Sequence, residues 1–338
     1  MNLRNEGWNL AIVGATGAVG QEALKILEER KTPLKNLYLF ASSKNVGRKM
    51  SFRGEEYTVC ELDSHVFEKT LDVAFFSAGR ERSLEFGGNL ARQGVRIIDN
   101  SSAFRMDPHV ALVVPEVNWC DYKNYKNKNI IANPNCSTIQ LVMALKPLQK
   151  YGLKRVVVST YQAVSGAGLK AMEELKEQTR DYLSGKELKN QVFPHKIAFN
   201  CLPHIDKFDD DFYSFEEKKV MQETKKILGE SHLAITCTAV RVPVLGAHSE
   251  SVNIEFEKPF DLDVIKKELA GFPGVKVLDN PKEHVYPLNI EAIGKNEVFV
   301  GRLRRDSSVK SGLNLWIVAD NIRKGAALNA IQILEHLS

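Results

Sequence analysis

Apolar positions early in the chain follow two alternating periods. "NLAIV" is a short, continuously apolar run that predicts a buried strand. "AVGQEALKILEER" follows, with Val19, Ala23, Ile26 and Leu27 on one stripe, the spacing of an amphipathic helix. "NLYLFAS" predicts a second strand, "DVAFFSAG" a later one and "VRIIDNS" another. Strands separated by helical stretches need crossover connections, so a parallel α/β sheet is expected up to about Ile131.

The pattern then changes. After a helix predicted from Ser137 to about Tyr151, the strands lengthen and alternate: "RVVVSTYQAV", "LAITCTAVRVPV", "ESVNIEFE", "VFVGRLRRD" and "LNLWIVAD". These predict a mixed, largely antiparallel sheet. Helical stretches near Lys170–Leu183 and Glu216–Leu228 interrupt it. The closing "IRKGAALNAIQILEHL" predicts a helix that returns to the first domain. A chain of 338 residues is too long for one ordinary core. The expected division is a Rossmann-like α/β domain over 1–133 and 322–338, and an α+β domain over 134–321. A strand face left exposed on the second domain would need cover, so a homodimer through that sheet is expected.

Composition narrows the classes. Apolar residues make up 43% and charged residues 26%, the balance of a soluble globular protein. The formal net charge of +4 is spread thinly, and even the cluster Arg302, Arg304 and Arg305 does not make a nucleic-acid arm or a membrane anchor. No run reaches the length of a membrane span, and "MNLRNEGWNLAIVGATG" enters a strand without a secretory signal, so a cytoplasmic protein is expected. The five cysteines are odd in number, widely spaced and without a CxxC pair, which predicts neither a disulfide framework nor a zinc site. The histidines show no HExxH pattern, and no metal is expected. Cys60 in "YTVCEL" and Cys237 in "LAITCTAV" read as small buried residues of strands.

Two stretches carry candidate chemistry. The first is "VGATGAVGQEAL", with Gly14, Gly17 and Gly20 between the first strand and the first helix. Glycines there let backbone approach a pyrophosphate at a helix N-terminus, where unpaired N–H groups and the dipole favour an anion. The spacing is GxxGxxG, which alone also fits an ordinary turn. The second strand runs out as "YLFASSKNVGRKM" with no acidic residue for a ribose 2′-hydroxyl. Ser42 and Ser43, with Lys44, Arg48 and Lys49 nearby, favour NADP over NAD; a solvated basic loop is the other reading.

The second stretch is "IIANPNCSTIQLVMAL", where Asn-Pro-Asn ends an extended segment and a cysteine meets a helix start. Pro134 cannot continue a ladder, so the chain turns. A thiol at a helix N-terminus gains thiolate character from the dipole, which a nucleophile needs. Cys136 is therefore a candidate nucleophile, with a structural cysteine as the open alternative. Arg241 and His248, in "VRVPVLGAHSESVNIEFE", supply a cation and an acid/base candidate.

In order along the chain, "GATGAVG", "FSAG", "DNSSAFR", "ANPNCSTIQ", "STYQAVSGAG", "FEEKKVMQETKKIL", "RVPVLGAHSESVNIEFE" and "WIVADNIRKGAALNA" resemble the aspartate-β-semialdehyde dehydrogenase family. The resemblance implies NADPH-dependent reduction of L-aspartyl 4-phosphate to L-aspartate 4-semialdehyde and phosphate, in lysine (by way of diaminopimelate), threonine and methionine synthesis. It implies that Cys136 forms a thioester and that His248 takes the thiol proton and later handles the hemiacetal oxygen. Asn135 would steady the oxyanion, and Gln162 would orient the substrate. Arg241 would grip the α-carboxylate, Glu216 the α-ammonium, and Arg105 and Lys219 the phosphate. From sequence alone Glu216 and Lys219 also read as an ordinary i,i+3 surface pair. The cofactor would meet Gly14, Thr16, Gly17, Ala18 and Val19 at the phosphates, with Ser77 and Gly79 of "FSAG" beside them. Ser42 and Ser43 would meet the adenosine ribose, and Ser165, Gly166 and Asn321 would lie near the nicotinamide. The implied assembly is a homodimer or a tetramer. N-acetyl-γ-glutamyl-phosphate reductases share the chemistry, but their acylated amine gives Glu216 no cation to meet. A non-catalytic NADP-binding relative would tolerate loss of Cys136 or His248, and both are present.

Overall fold

The computed structural model describes residues 7–125 and 129–337. The chain divides into two compact units, Met1–Asn135 with Ala326–Ser338, and Cys136–Gly325.

In the first unit, β1 (Trp8–Val13) leads through α1 (Ala18–Glu29) to β2 (Leu34–Ala41). A hairpin of β3 (Lys49–Phe52) and β4 (Glu55–Thr58) precedes the short β5 (Cys60–Glu61). β6 (Val73–Phe76) is followed by α2 (Arg80–Arg82) and α3 (Gly88–Arg92), then β7 (Arg96–Asp99), β8 (Ala111–Leu112), α4 (Pro115–Asn118) and β9 (Ile130–Ala132). The sheet runs β5-β2-β1-β6-β7-β9-β8, parallel at every pairing. This is the expected Rossmann-like arrangement. Leu10 and Ile12 of β1 pack with Ala23, Ile26 and Leu27 of α1 in one core. Each such large side chain contributes about 1.5–3 kcal/mol by leaving water. Val19, expected on the same stripe, is only partly buried. Cys60 departs from its expectation: it is exposed, because β5 is a two-residue edge strand.

In the second unit, α5 (Cys136–Leu145) opens the fold. Residues Ser137 to Leu145 are all buried, so α5 is a central helix rather than an amphipathic one. It ends at Leu145, earlier than the pattern predicted, and a tighter 3₁₀ segment with Pro147 in its first turn continues to Tyr151. β10 (Leu153–Gln162), α6 (Leu169–Leu183), α7 (Phe215–Leu228), β11 (Ala234–Arg241) and β12 (His248–Phe256) follow. Then come α8 (Leu262–Gly271), β13 (Val275–Val277), α9 (Asn289–Ala292), β14 (Val298–Asp306) and β15 (Gly312–Ala319). The final helix, α10 (Leu328–His336), belongs to the first unit, where Leu328, Ile331 and Leu334 join the core of β1 and α1. α7 is fixed by a capping box, Ser214 with Glu217, and is closed by Gly229 in the left-handed region, φ +70°.

The second sheet runs β11-β10-β12-β15-β14-β13. It is mixed: β10–β11 and β13–β14 are parallel, and the other pairings antiparallel. Alternation sorts its side chains by face. On one face Gln162 pairs with Arg241, Thr160 with Ala239 and Glu250, and Val158 with Cys237 and Val252, all buried. Polar groups therefore gather at one end of the face and give way to apolar ones below. On the opposite face Tyr161 is exposed, its ring 5.3 Å from that of Trp316.

Glu250 is the buried acid of this gradient. Burial holds its carboxyl well above the ordinary carboxylate range, and the Gln140 amide opposes this only in part. Neither group makes a well-aligned hydrogen bond among the described residues, so the amide acts on the carboxyl as a near dipole. A carboxyl whose folded pKa is raised stabilises fully below its unfolded pKa, and that stability is lost as pH rises toward the folded value. Glu250→Gln is therefore expected to raise the melting temperature at about pH 8 and to leave it unchanged near about pH 4. Thermal melts at the two pH values check this.

Candidate active site

The first unit builds a nucleotide-sized cavity. Gly14 has φ +89°, and a Cβ there would lie 2.4 Å from the Ser77 carbonyl oxygen, so only glycine ends β1 against β6. A Cβ on Gly20 would lie 2.3 Å from the Gly14 oxygen, which lets α1 start close against the strand end. The resulting cavity of about 330 Å³ is lined by Gly14, Thr16, Gly17, Ser42, Ser43 and Ser77. Ala18 and Val19 are the first residues of α1, and Gly79 sits at the start of α2 with φ +89°; none of the three lines the cavity. A helix N-terminus, a close-approach glycine turn and three serine hydroxyls form a donor set that fits a dinucleotide.

Two charged residues that the motif reading missed also line this cavity: Glu61 and Arg82. Glu61 arrives because β5 pairs beside β2, with Ala41 opposite Glu61. The basic residues singled out in the loop are not among its lining. Arg48 and Lys49 instead border a hollow with Gln21 and Lys25, and Lys44 is exposed.

The cysteine corner is built by asparagines. β9 ends at Ala132, and the Asn133 N–H donates to the Asp99 carbonyl, 2.8 Å. The Asn133 side chain donates to Asn100 Oδ1 at 2.7 Å and accepts from Asn329 Nδ2 at 2.7 Å. Pro134 and the buried Asn135 follow, and Cys136 is the first residue of α5, partly exposed. Gly325 is packed against it: a Cβ there would lie 3.0 Å from Cys136 Cβ.

Within the second unit, the polar end of the sheet gathers the other candidates. Gln162 Nε2 donates to Ser137 Oγ at 2.9 Å and to Glu216 Oε1 at 3.2 Å, tying the residue after the cysteine to the buried acid. Arg241 Nη1 donates to the Ala163 carbonyl at 2.7 Å. Burial pulls the Arg241 pKa down, while Glu216 and Cys136 pull it back up, and an arginine so placed keeps its charge. His248 is fully buried. Its Nδ1 accepts from the Ala163 N–H at 3.1 Å, and its Nε2 has no hydrogen-bond partner among the described residues. Burial, and then the Arg241 charge, hold its pKa well below the ordinary imidazole value. A Cβ on Gly166 would lie 2.9 Å from Arg241 Nη1 and 3.2 Å from His248 Nε2, so glycine keeps the space before both donors open.

Glu216 is only 6% exposed, which sets it apart from an ordinary surface pair. Lys219 Nζ lies 3.3 Å from Glu216 Oε2 and 2.7 Å from Asp206 Oδ2. Asp206 was not foreseen. Burial pushes its carboxyl up, but Lys219, helped by the Lys207 N–H and charge, leaves its pKa lowered. Ser165 Oγ donates to Asn321 Oδ1 at 2.9 Å, so these two lie together in the second unit. Arg105 lies in the first unit, where Nε donates to the Asn133 carbonyl at 2.9 Å and Nη2 to the Asn100 carbonyl at 3.0 Å. These bonds fix the plane of its guanidinium beside the asparagine corner.

Comparison with known proteins agrees with this architecture. Residues 9–125 match the semialdehyde dehydrogenase NAD binding domain, and residues 145–324 the semialdehyde dehydrogenase dimerisation domain. An aspartate-semialdehyde dehydrogenase of Aquifex aeolicus is 55% identical over 333 residues, 98% of each chain. The crystal structure of aspartate semialdehyde dehydrogenase II from Vibrio cholerae superposes with a TM-score of 0.95 at 44% identity, covering 98% of both chains. The same enzyme complexed with ASA gives a TM-score of 0.94 at 43% identity, again over 98% of each. In sequence over nearly its whole length, and in fold, the chain belongs to the aspartate-semialdehyde dehydrogenase family.

Proposed function

We propose that the chain reduces L-aspartyl 4-phosphate with NADPH to L-aspartate 4-semialdehyde, NADP and phosphate, in the synthesis of lysine, threonine and methionine. The observation that carries the reading is a thiol at the first residue of α5, in the unit where Gln162, Arg241 and His248 share the polar end of one sheet. In this reading Cys136 attacks the acyl carbon, the C–O bond to phosphate breaks, and a thioester remains. NADPH, when bound, supplies the hydride that takes the acyl carbon to the aldehyde level. His248 takes the thiol proton and later handles the hemiacetal oxygen, and Asn135 with the N–H groups that open α5 steadies the oxyanion. Gln162 orients the substrate. Arg241 holds the α-carboxylate, Glu216 the α-ammonium, and Arg105 and Lys219 the phosphate. Ser165, Gly166 and Asn321 belong to the nicotinamide end of the site.

The test is formation of NADPH from L-aspartate 4-semialdehyde, NADP and phosphate, beside the same assay with N-acetylglutamate semialdehyde. Turnover of the first and not the second supports the proposal; preference for the second overturns it.

For the cofactor, Thr16 and Gly17 in the cavity wall are assigned to the pyrophosphate with Gly14 and Ser77, and Ala18, Val19 and Gly79, off the wall, act through the backbone of the two helix starts they belong to. Ser42, Ser43 and Arg82 favour a 2′-phosphate, and Glu61 opposes it. NADPH is expected to be preferred to NADH. Ser43→Asp should shift that preference toward NADH, while Glu61→Gln should strengthen it. One charge beside a phosphate is worth about 1.5–3 kcal/mol when hydrogen-bonded, so each change should move the ratio of kcat/KM values by roughly 10- to 100-fold. Kinetics with both cofactors check the two directions, and equal use of NADH by the parent enzyme would contradict the reading.

Assembly is proposed as a homodimer, with a tetramer as the further possibility, through the sheet face that leaves Tyr161 exposed beside Trp316. A cytoplasmic location is proposed with it. The exposed free thiols Cys60, Cys120 and Cys201 suit a reducing compartment. Among the described residues no helix is long and apolar enough to cross a membrane.

A further inference from the structure

The side chain of Asp99 is fully buried at the end of β7, and donors converge on its carboxylate. Ser83 Oγ donates to Oδ1 at 2.6 Å, Ser101 Oγ to Oδ2 at 2.8 Å, and the Ser101 N–H to Oδ1 at 3.3 Å. Ser101 Oγ in turn accepts from the Ala103 N–H at 3.0 Å. We infer that Asp99 and Ser101 are positioning residues that set where the Arg105 guanidinium meets the substrate phosphate. The inference rests on the proposed role of Arg105 toward phosphate.

The local sequence "DNSSAFR" explains how a residue at the end of a strand can place one six positions later. Asp99 accepts from the N–H two residues on, and Ser101 repeats the pattern toward Ala103. Such side-chain turns hold the backbone without a helix or a ladder, and two in series leave the chain little freedom before Arg105. The acceptors of the guanidinium are tied to the same point. Arg105 Nη2 donates to the carbonyl of Asn100, the residue after Asp99. Arg105 Nε donates to the carbonyl of Asn133, whose own N–H donates to the Asp99 carbonyl at 2.8 Å. The other side of the carboxylate is braced by Ser83, which is fully buried and follows Arg82 in the wall of the cofactor cavity. Arg80 Nη1 adds an outer strut to the Ser102 carbonyl at 3.1 Å.

Packing alone does not call for an acid here. Burial raises the Asp99 pKa, and the bonds from Ser83 and Ser101, with the Arg105 charge, oppose that rise. An ionised carboxylate accepts from every donor around it, whereas an asparagine amide has one accepting oxygen and would set N–H groups against a donor. The negative charge itself works against a phosphate. Geometry and charge therefore predict opposite signs for Asp99→Asn: loss of positioning weakens phosphate binding, and relief of repulsion strengthens it. The inference commits to the first.

The test is reverse-direction kinetics of the full-length protein, with phosphate and semialdehyde varied separately. Ser101→Ala should raise the KM for phosphate roughly 10-fold, the lower end for one hydrogen bond to a charged group, and change the KM for the semialdehyde much less. Asp99→Asn should move the phosphate KM in the same direction, and Ser101→Thr, which keeps the hydroxyl, should stay close to the parent. Combining Ser101→Ala with Arg105→Lys separates positioning from general damage. If Ser101 acts through Arg105, the double variant should fall well short of the product of the single effects, whereas independent damage multiplies them. If Ser101→Ala does not fold, Ser101→Cys, similar in size but a weak donor and acceptor, takes its place under the same criteria. An unchanged phosphate KM in the Ser101 variant, a lowered one in Asp99→Asn, or multiplied effects in the double variant overturns the inference. Failure of the reading beneath it shows separately, as an unchanged phosphate KM in Arg105→Lys alone.

Discussion

Cys136→Ala is expected to remove turnover, by about 10⁴-fold or more, the scale on which loss of a nucleophile acts. Binding of NADP should stay close to that of the parent. The cofactor cavity is lined from the glycine turn, the end of β2 and the segment after β6, all within the first unit. Cys136 opens the second unit. Asn133 also carries hydrogen bonds of the corner that the substitution leaves in place. Stopped-flow turnover and NADP titration on one preparation check both halves. A variant that keeps more than a small fraction of parental turnover would contradict covalent catalysis at this position.

The second large effect is expected at the anion sites. Arg241 is 6% exposed and holds the Ala163 carbonyl with Nη1, so its truncation leaves buried partners unpaired. Truncating one partner of a buried charge pair costs about 2–5 kcal/mol, so Arg241→Ala should lower kcat/KM for the semialdehyde by roughly 30-fold to several thousand-fold. Arg241→Lys keeps the charge and loses the planar fork, so its defect should be milder but should still fall first on the semialdehyde. Lys219→Ala should act on the other substrate, raising the KM for phosphate by roughly 10- to 100-fold through loss of one charged donor. Asp206 holds the same ammonium at 2.7 Å, which argues for the lower end of that range. Steady-state kinetics with semialdehyde and phosphate varied separately check the assignment. An unchanged phosphate KM in Lys219→Ala would return Lys219 to a structural ion pair with Glu216 and Asp206.

What could be read before the structure was local. The glycine turn, the cysteine corner and the alternating strands are set by residues adjacent in sequence, and each fell where its pattern placed it. The gaps arise where non-local pairing decides. Glu61 lines the cofactor cavity only because β5 pairs with β2, and the same pairing leaves Cys60 on an exposed edge. Asp206 meets Lys219 from a loop thirteen residues away, where no periodicity marks it. Ala163 acts through backbone groups that every non-proline residue has, so no residue type could announce it. Gly325 matters through close approach to Cys136, which a glycine among small residues does not signal by itself. Burial also changes a reading: Glu216 and Lys219 have the spacing of a surface pair, but Glu216 lies inside, beside Gln162.

The central claim is that an acyl group passes through Cys136. Mixing the enzyme with L-aspartate 4-semialdehyde and NADP, without phosphate, should stop the reverse reaction at the thioester. Rapid acid quench, digestion and mass spectrometry should then find an aspartyl group on the peptide that carries Cys136, formed in step with one NADPH per active site. NADPH released with no adduct on that peptide, or with the adduct on Cys60, Cys120, Cys201 or Cys237, would contradict the account.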